Sequence, residues 1–289
     1  MKWGAPVSLI RGFLGRVEAG DKLPTRIIGV INVSPESFYK GSIKMSYEEI
    51  VETALYMVKS GADIIDVGAM STAPYLQTHI DEEEEARRIR EAIEAVKSSI
   101  DVPVSADTHR VKPALEAVKA GAEIINDVTG LSNPAIAEIV AEHNLSLIIC
   151  ARNLGKLSSP REAVESTLKV LERSLKIALE KNVDINRIAI DPAIGFHRDT
   201  GIDWWKIDLE LIRSLEKFRR LGRPIVIGVS RKSFIGILTG KEKPEDRLFG
   251  SKGVEAIAVF LGAHVIRTHD VPEAVDVVRV AEAIRKTNP

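Results

Sequence analysis

One phrase recurs along the chain with small changes: SGADIIDVG at 60–68, AGAEIINDV at 120–128 and LGAHVIRTH at 261–269. Each begins with Gly-Ala where a helical pattern ends and continues as a short apolar run closing on polar residues. A glycine at a helix end followed by a buried strand marks an αβ loop. The repeat therefore predicts parallel strands covered on both faces. The same unit predicts strands near 27–31, 63–67, 102–106, 123–126, 146–150, 187–190, 224–229 and 264–268. Amphipathic patterns predict helices over 46–59, 82–98, 110–119, 134–143, 160–181, 205–220, 245–261 and 272–286. Ser46 with Glu49 reads as a capping box at the first of them. Eight βα units in roughly 260 residues match a (β/α)8 barrel, typically about 250 residues long. A doubly wound sheet is the alternative, and eight even repeats fit closure better. The fold class is α/β: a single TIM barrel over 26–289, with a short N-terminal extension, 1–25, expected to cover its lower end.

Composition narrows the function. Lys+Arg 40 against Asp+Glu 41 leaves a net charge of -1, so no global basic field calls for nucleic acid and anion binding must be local. The single cysteine, Cys150, excludes an intrachain disulfide or a cysteine zinc site and reads as a strand-packing residue. The histidines show no HxxxH pattern. No apolar stretch reaches the ~18 residues of a membrane span, and the N-terminus lacks a signal-peptide pattern. The expectation is a cytoplasmic protein with small-molecule substrates. The DEEEE run at 81–85 reads as a solvated first helical turn.

In a barrel the residues just after each strand line one shared mouth. Here they are Asn32, Asp66, Asp107, Asn126-Asp127, Arg152, Asp191, Ser230 to Ser233 and Arg267 to His269. Any one of them alone is compatible with a loop cap; eight coincident polar ends favour a site. Asp107, Asn126 and Asp191 suit the amino-pyrimidine edge of a flat heterocycle, with Lys232 facing its carbonyl or ring nitrogen. Arg267, His269 and Asn32, with Arg231 less firmly, suit an anionic group. His269 has the alternative of a loop histidine bonded to Asp270.

GVINVSPESF (29–38), GADIIDVGAMSTAP (61–74), DTHRVKPALEAVKAGAEIINDVTG (107–130), DPAIGF (191–196), GVSRKSFIG (228–236) and RTHDV (267–271) resemble the dihydropteroate synthases, in the form of a divergent, archaeal-like member. The resemblance implies condensation of 7,8-dihydropterin-6-ylmethyl diphosphate with p-aminobenzoate, releasing pyrophosphate. It implies that Asp107, Asn126, Asp191 and Lys232 hold the pterin, and that Arg267 stacks on it. Asn32, Arg267 and His269, with Mg²⁺ on Asn32, would hold the diphosphate. Ser233, Thr72, Pro74 and Phe196 would shape the aminobenzoate side. Lys232, Arg267, His269 and Asp107 are the implied catalytic set, and a homodimer is the implied assembly. In the implied reaction the C–O bond to diphosphate breaks first, the reduced pterin stabilises the methylene cation, and the arylamine attacks it.

Two segments depart from the family pattern. Ser71-Thr72-Ala73-Pro74 stands where the family has Ser-Thr-Arg-Pro, and LIICARNLGKLSSP replaces its usual fifth-strand ending. Both adjoin the second substrate. The sequence therefore leaves open the same condensation with a ribosylated aminobenzene phosphate, for which Arg152, His197 or Arg198 would serve the phosphate. A pterin-dependent methyltransferase, or a protein that only binds pterin, is the other open reading.

Overall fold

The computed structural model describes residues 9–34, 46–70 and 80–286. An antiparallel hairpin, β1 (Arg11–Leu14) and β2 (Val17–Gly20), precedes the barrel strands. These are β3 (Arg26–Asn32), β4 (Ile64–Gly68), β5 (Val104–Asp107), β6 (Ile124–Asp127), β7 (Ser146–Cys150), β8 (Ile188–Asp191), β9 (Val226–Gly228) and β10 (Val265–Thr268). They pair in parallel in the order β8-β7-β6-β5-β4-β3-β10-β9. A parallel bridge between Ile190 and Ile225 joins the two ends into a barrel. Around it lie α1 (Tyr47–Lys59), α2 (Glu82–Lys97), α3 (Val111–Lys119), α4 (Ala135–Glu142), α5 (Pro160–Glu180), α6 (Trp204–Arg213), α7 (Ser233–Thr239), α8 (Leu248–Phe260) and α9 (Val271–Lys286). The TIM-barrel class expected from the repeats is the fold.

Strand alternation splits the apolar residues into two cores. Ile27, Ile65, Ile125, Leu147, Ile149, Ile227 and Ile266 pack outward against the helices. Ile28, Ile64, Ile124, Ile148, Ala189, Val226 and Val265 form a second cluster inside the barrel, joined by Leu14 and Ala19 of the hairpin. The hairpin is thus a plug at the N-terminal end of the strands, where the Gly15 N–H donates to Ser146 Oγ over 2.9 Å.

Asp21, just after β2, fastens that plug. Both its oxygens accept from Arg219, each at 2.8 Å, one also accepts from the Ile10 N–H at 2.9 Å, and His264 Nε2 lies 3.3 Å away. Burial alone would raise the carboxyl; Arg219, Ile10 and His264 overcome it and hold the pKa far below the usual carboxylate range. A depressed acid pKa contributes stability that is complete above the unfolded-state value, ~4, and fades as pH falls below it. Asp21→Asn should therefore lower the unfolding free energy at pH 7 by about 1.5–3 kcal/mol, the scale of charge-assisted hydrogen bonds. In urea titrations the gap to the wild type should narrow below pH ~4.

The structure confirms Ser46 and Glu49 as a reciprocal cap, at 3.1 and 3.2 Å. It corrects four other expectations. The helix expected over 205–220 ends at Arg213 and continues as a 3₁₀ segment, Leu215–Leu221. Leu215, Phe218 and Leu221 recur every third residue and are all buried, which suits three residues per turn. The helix expected from 245 begins at Leu248, after a 3₁₀ turn over Pro244–Arg247. The strand expected over 224–229 is ordered only at Val226–Gly228, because Pro224 has no N–H for the ladder. Glu85 is not solvated like the rest of its run: it is buried, accepting from Thr108 Oγ1 at 2.7 Å and lying 3.1 Å from Arg110.

Candidate active site

The alternation that fills the barrel with isoleucine also builds its mouth. Two residues beyond Ile64, Ile124, Ile148, Ala189, Val226 and Val265, on the same face of their strands, stand Asp66, Asn126, Cys150, Asp191, Gly228 and Arg267. Register sets Gly68, Asp107 and Asn126 side by side across β4, β5 and β6, and Cys150 beside Asp191. Gly68 and Gly228 leave space between these groups: a Cβ on Gly228 would lie 3.7 Å from Arg267.

Arg267 spans the mouth. Its Nε donates to Asp66 Oδ2 at 2.7 Å and its Nη2 to Asp107 Oδ2 at 2.8 Å. Burial disfavours its charge, but the two carboxylates more than offset this and keep it ionised. For Asp107 burial wins: with Asp66, Glu85 and Asp127 also repelling its charge, its pKa is pushed up to about 7 despite Arg267. Its other oxygen, Oδ1, is buried with no hydrogen-bond partner among the described residues, as is Asp66 Oδ1. Asn126 Nδ2 lies 3.5 Å from Asp66 Oδ2, and Cys150 Sγ lies 3.7 Å from Asn126 Oδ1. Burial raises the Cys150 thiol well above its ordinary range, so it is a protonated wall of the mouth. Unsatisfied buried acceptors are rare in native folds and mark places where a donor-bearing ligand fits.

Lys232 enters from the opposite side. Its ammonium donates to the Ile194 oxygen and lies 4.2 Å from the centre of the Phe196 ring. Burial lowers its pKa to about 8, with Asp191 and Asp208 acting the other way. The loop it meets is tightly fixed: Ala193 N–H donates to Asp191 Oδ1 and Gly195 N–H to Asp208 Oδ1, both at 2.7 Å. Gly195 has φ 87°, and a Cβ there would come within 2.5 Å of Lys232 Cδ, so only glycine lets the lysine lie against the backbone. Asp208 itself is pushed up to about 7 by burial. Asp191 is raised, again chiefly by burial, and Lys232 limits the rise.

A second group lies along β3, β9 and β10. Asn32 Nδ2 is 3.4 Å from His269 Nε2, and His269 Nδ1 is 2.9 Å from Ser230 Oγ. Burial, helped by Arg267, brings the His269 pKa down to about 3, so the ring is neutral; Asn32 donating to Nε2 leaves Nδ1–H to donate to Ser230. Asp270 is not the histidine's partner. It holds Arg231 through two bonds, at 2.6 and 3.0 Å. Arg231 is therefore a buried strut, also bound to the Pro244 and Glu245 oxygens, and these bonds tie it to the structure beside the mouth. Its φ of 57° separates it from Lys232.

On the remaining side, Ser233 is the first residue of α7 and accepts from Arg198 Nη2, while the Arg198 guanidinium lies 3.3 Å from the Trp204 ring centre. The Arg152 guanidinium lies 4.8 Å from the Phe196 ring centre. His197 is buried, donates to the Pro192 oxygen at 2.9 Å and is held neutral, with burial lowering its pKa to about 4, so it is no phosphate ligand. Thr72, Ala73 and Pro74 lie outside the described residues. The structure thus brings Asn32, Asp107, Asn126, Asp191, Phe196, Lys232, Ser233, Arg267 and His269 around one mouth. Sequence reasoning gave no role to Asp66, although its place at a strand end signalled it. Asp208 it missed altogether; an Asp on a helix face carries no such signal.

The sequence pattern of the family described as pterin binding enzyme matches residues 28–269. A probable bifunctional folylpolyglutamate synthase/dihydropteroate synthase of Haloferax volcanii is 35% identical over 269 residues. That alignment takes in 91% of this chain, which spans only 31% of the haloarchaeal relative. The dihydropteroate synthase of Bacillus subtilis is 34% identical over 264 residues, covering 91% of this chain and 90% of the relative. Among solved structures, Xanthomonas albilineans dihydropteroate synthase with 4-aminobenzoic acid superimposes with a TM-score of 0.84 at 31% identity, covering 98% of this chain and all (100%) of that one.

Proposed function

The chain belongs to the pterin binding enzymes, among the dihydropteroate synthases, and from that premise we infer that it is a transferase condensing 7,8-dihydropterin-6-ylmethyl diphosphate with p-aminobenzoate. One observation carries the assignment of roles: a buried carboxylate oxygen without a partner among the described residues, Asp107 Oδ1, stands beside Asn126 at the end of a largely apolar barrel. An amino-pyrimidine edge supplies the donors that this place lacks. Asp107, Asn126 and Asp191 hold that edge, Lys232 faces the ring's carbonyl or nitrogen, and Arg267 covers its face.

The C–O bond to diphosphate breaks, its electron pair leaves with the oxygen, and the arylamine nitrogen forms the new C–N bond and loses a proton. Arg267 supplies the charge that meets the departing anion, and neutral His269, held between Asn32 and Ser230, orients Asn32 beside it. Preorganised charge of this kind is usually the largest catalytic contribution. Among the described residues no cluster of His, Cys, Asp or Glu makes a metal cage. Asn32, a single amide oxygen donor, fits only a Mg²⁺ that arrives with the diphosphate and keeps most of its other ligands from phosphate and water. When bound, Mg²⁺ supplies neutralisation of the leaving diphosphate. The Arg267–His269 arrangement favours this reading over methyl transfer, which has no diphosphate to release.

Donors on the pterin need an ionised Asp107. With its pKa raised to about 7, affinity for a non-reactive oxidised pterin should climb from pH 6 to pH 8. Asp107→Asn should bind weakly with little dependence on pH. Calorimetry across that range tests the assignment; a flat wild-type profile counts against it.

We further propose a homodimer. Ile257 and Phe260 of α8 and Val280 and Ile284 of α9 are all exposed, and together line one apolar groove. Contiguous apolar faces of this kind mark interfaces. In light scattering the wild type should have twice the chain mass, 63.4 kDa from 2 × 31.7 kDa, and Phe260→Glu should approach 31.7 kDa.

A further inference from the structure

Among the described residues, Arg152 at the mouth has no carboxylate bonded to it. Arg152 follows Ala151, whose N–H donates to the Asp191 oxygen at 2.8 Å, so the backbone is pinned beside the end of β8. Asn153, with φ 59°, then turns the chain. The guanidinium lies over Phe196, the ring that also faces Lys232. Burial weakens its charged form, and among the described residues it makes no hydrogen bond or ion pair with a carboxylate; Asp199 acts on it only from a distance. Its basic neighbours are committed elsewhere, His197 to Pro192 and Arg198 to Ser233 and Trp204.

A guanidinium stacked on a ring keeps its in-plane N–H donors available, and these fit an oxyanion two at a time. A partly buried cation without a partner costs free energy, which a bound anion offsets. We propose that Arg152 determines acceptor specificity by binding the oxyanion of the arylamine, with the amine's ring along Phe196 and its nitrogen toward the pterin at Lys232. The shared chemistry is an oxyanion, either the carboxylate of p-aminobenzoate or a phosphate in its place. The inference rests on the condensation proposed above.

The test is binding rather than turnover. Protein loaded with oxidised pterin and pyrophosphate is titrated calorimetrically with p-aminobenzoate, 4-aminophenyl phosphate and neutral p-aminobenzamide. The wild type should bind one or both anions at least about tenfold tighter than the amide, the scale of one charge-assisted hydrogen bond. Arg152→Gln should reduce that preference to within about twofold, and Arg152→Lys should retain part of it. The anion with the larger preference identifies the source. Undiminished preference in Arg152→Gln, or no preference in the wild type, overturns the proposal. If Arg152→Gln no longer binds pterin, Arg152→Lys carries the comparison: an undiminished preference there overturns it and a reduced one supports it. A wild type that discriminates between amines yet forms no product would overturn the condensation and leave the anion site standing.

Discussion

Asp191→Ala is expected to weaken binding of a non-reactive pterin by about 2–4 kcal/mol, roughly 30- to 1,000-fold. Asp191 is buried at the end of β8; one oxygen accepts the Ala193 N–H, and Lys232 is the main opposing charge. Removing the carboxylate takes away the lysine's main opposing charge and leaves the ligand's donors without an acceptor, which costs more than the mean hydrogen bond. A role confined to the loop predicts otherwise. Asp191→Asn keeps an acceptor for Ala193 and removes the charge, so on the binding account it too loses affinity, by less. Calorimetry on both folded variants separates the cases: unchanged affinity in Asp191→Ala would reduce Asp191 to a loop cap.

Arg267→Met should destabilise the fold by about 3–5 kcal/mol, the usual consequence of removing one partner from a buried ion pair. Asp66 and Asp107 would then face one another without the guanidinium that now binds both. The Asp107 carboxyl, which Arg267 now holds down, would be pushed up further. A raised acid pKa contributes stability at low pH and loses it as pH rises through the folded value, so the deficit should be larger at pH 8 than at pH 5. Adding Asp66→Asn and Asp107→Asn should return part of the stability. Urea unfolding measures each step, and a deficit under about 1 kcal/mol that is independent of pH would mean that Arg267 is not the counter-ion of this mouth.

The barrel was legible because its signal is periodic: apolar runs with polar endings repeat eight times, three of them opened by a Gly-Ala turn, and strand alternation carries the endings to one mouth. Asp107, Asn126, Asp191 and Arg267 could be picked out for that reason alone. Arg231 could not be separated from Lys232, because neighbours in sequence share a motif while a left-handed backbone sends one to Asp270 and the other to Phe196. Asp208 reaches the site only through the fold, by accepting the N–H of Gly195, 13 residues away. The break after Arg213 arose from a three-residue spacing that an amphipathic helix pattern absorbs over short stretches.

The central claim is that this mouth joins a pterin to an arylamine. Purified protein incubated with 7,8-dihydropterin-6-ylmethyl diphosphate, Mg²⁺ and p-aminobenzoate should yield 7,8-dihydropteroate and pyrophosphate in equal amounts by mass spectrometry and phosphate assay, and Lys232→Ala should abolish both. Pyrophosphate released without a coupled product, or no consumption of the pterin with any arylamine, would contradict it.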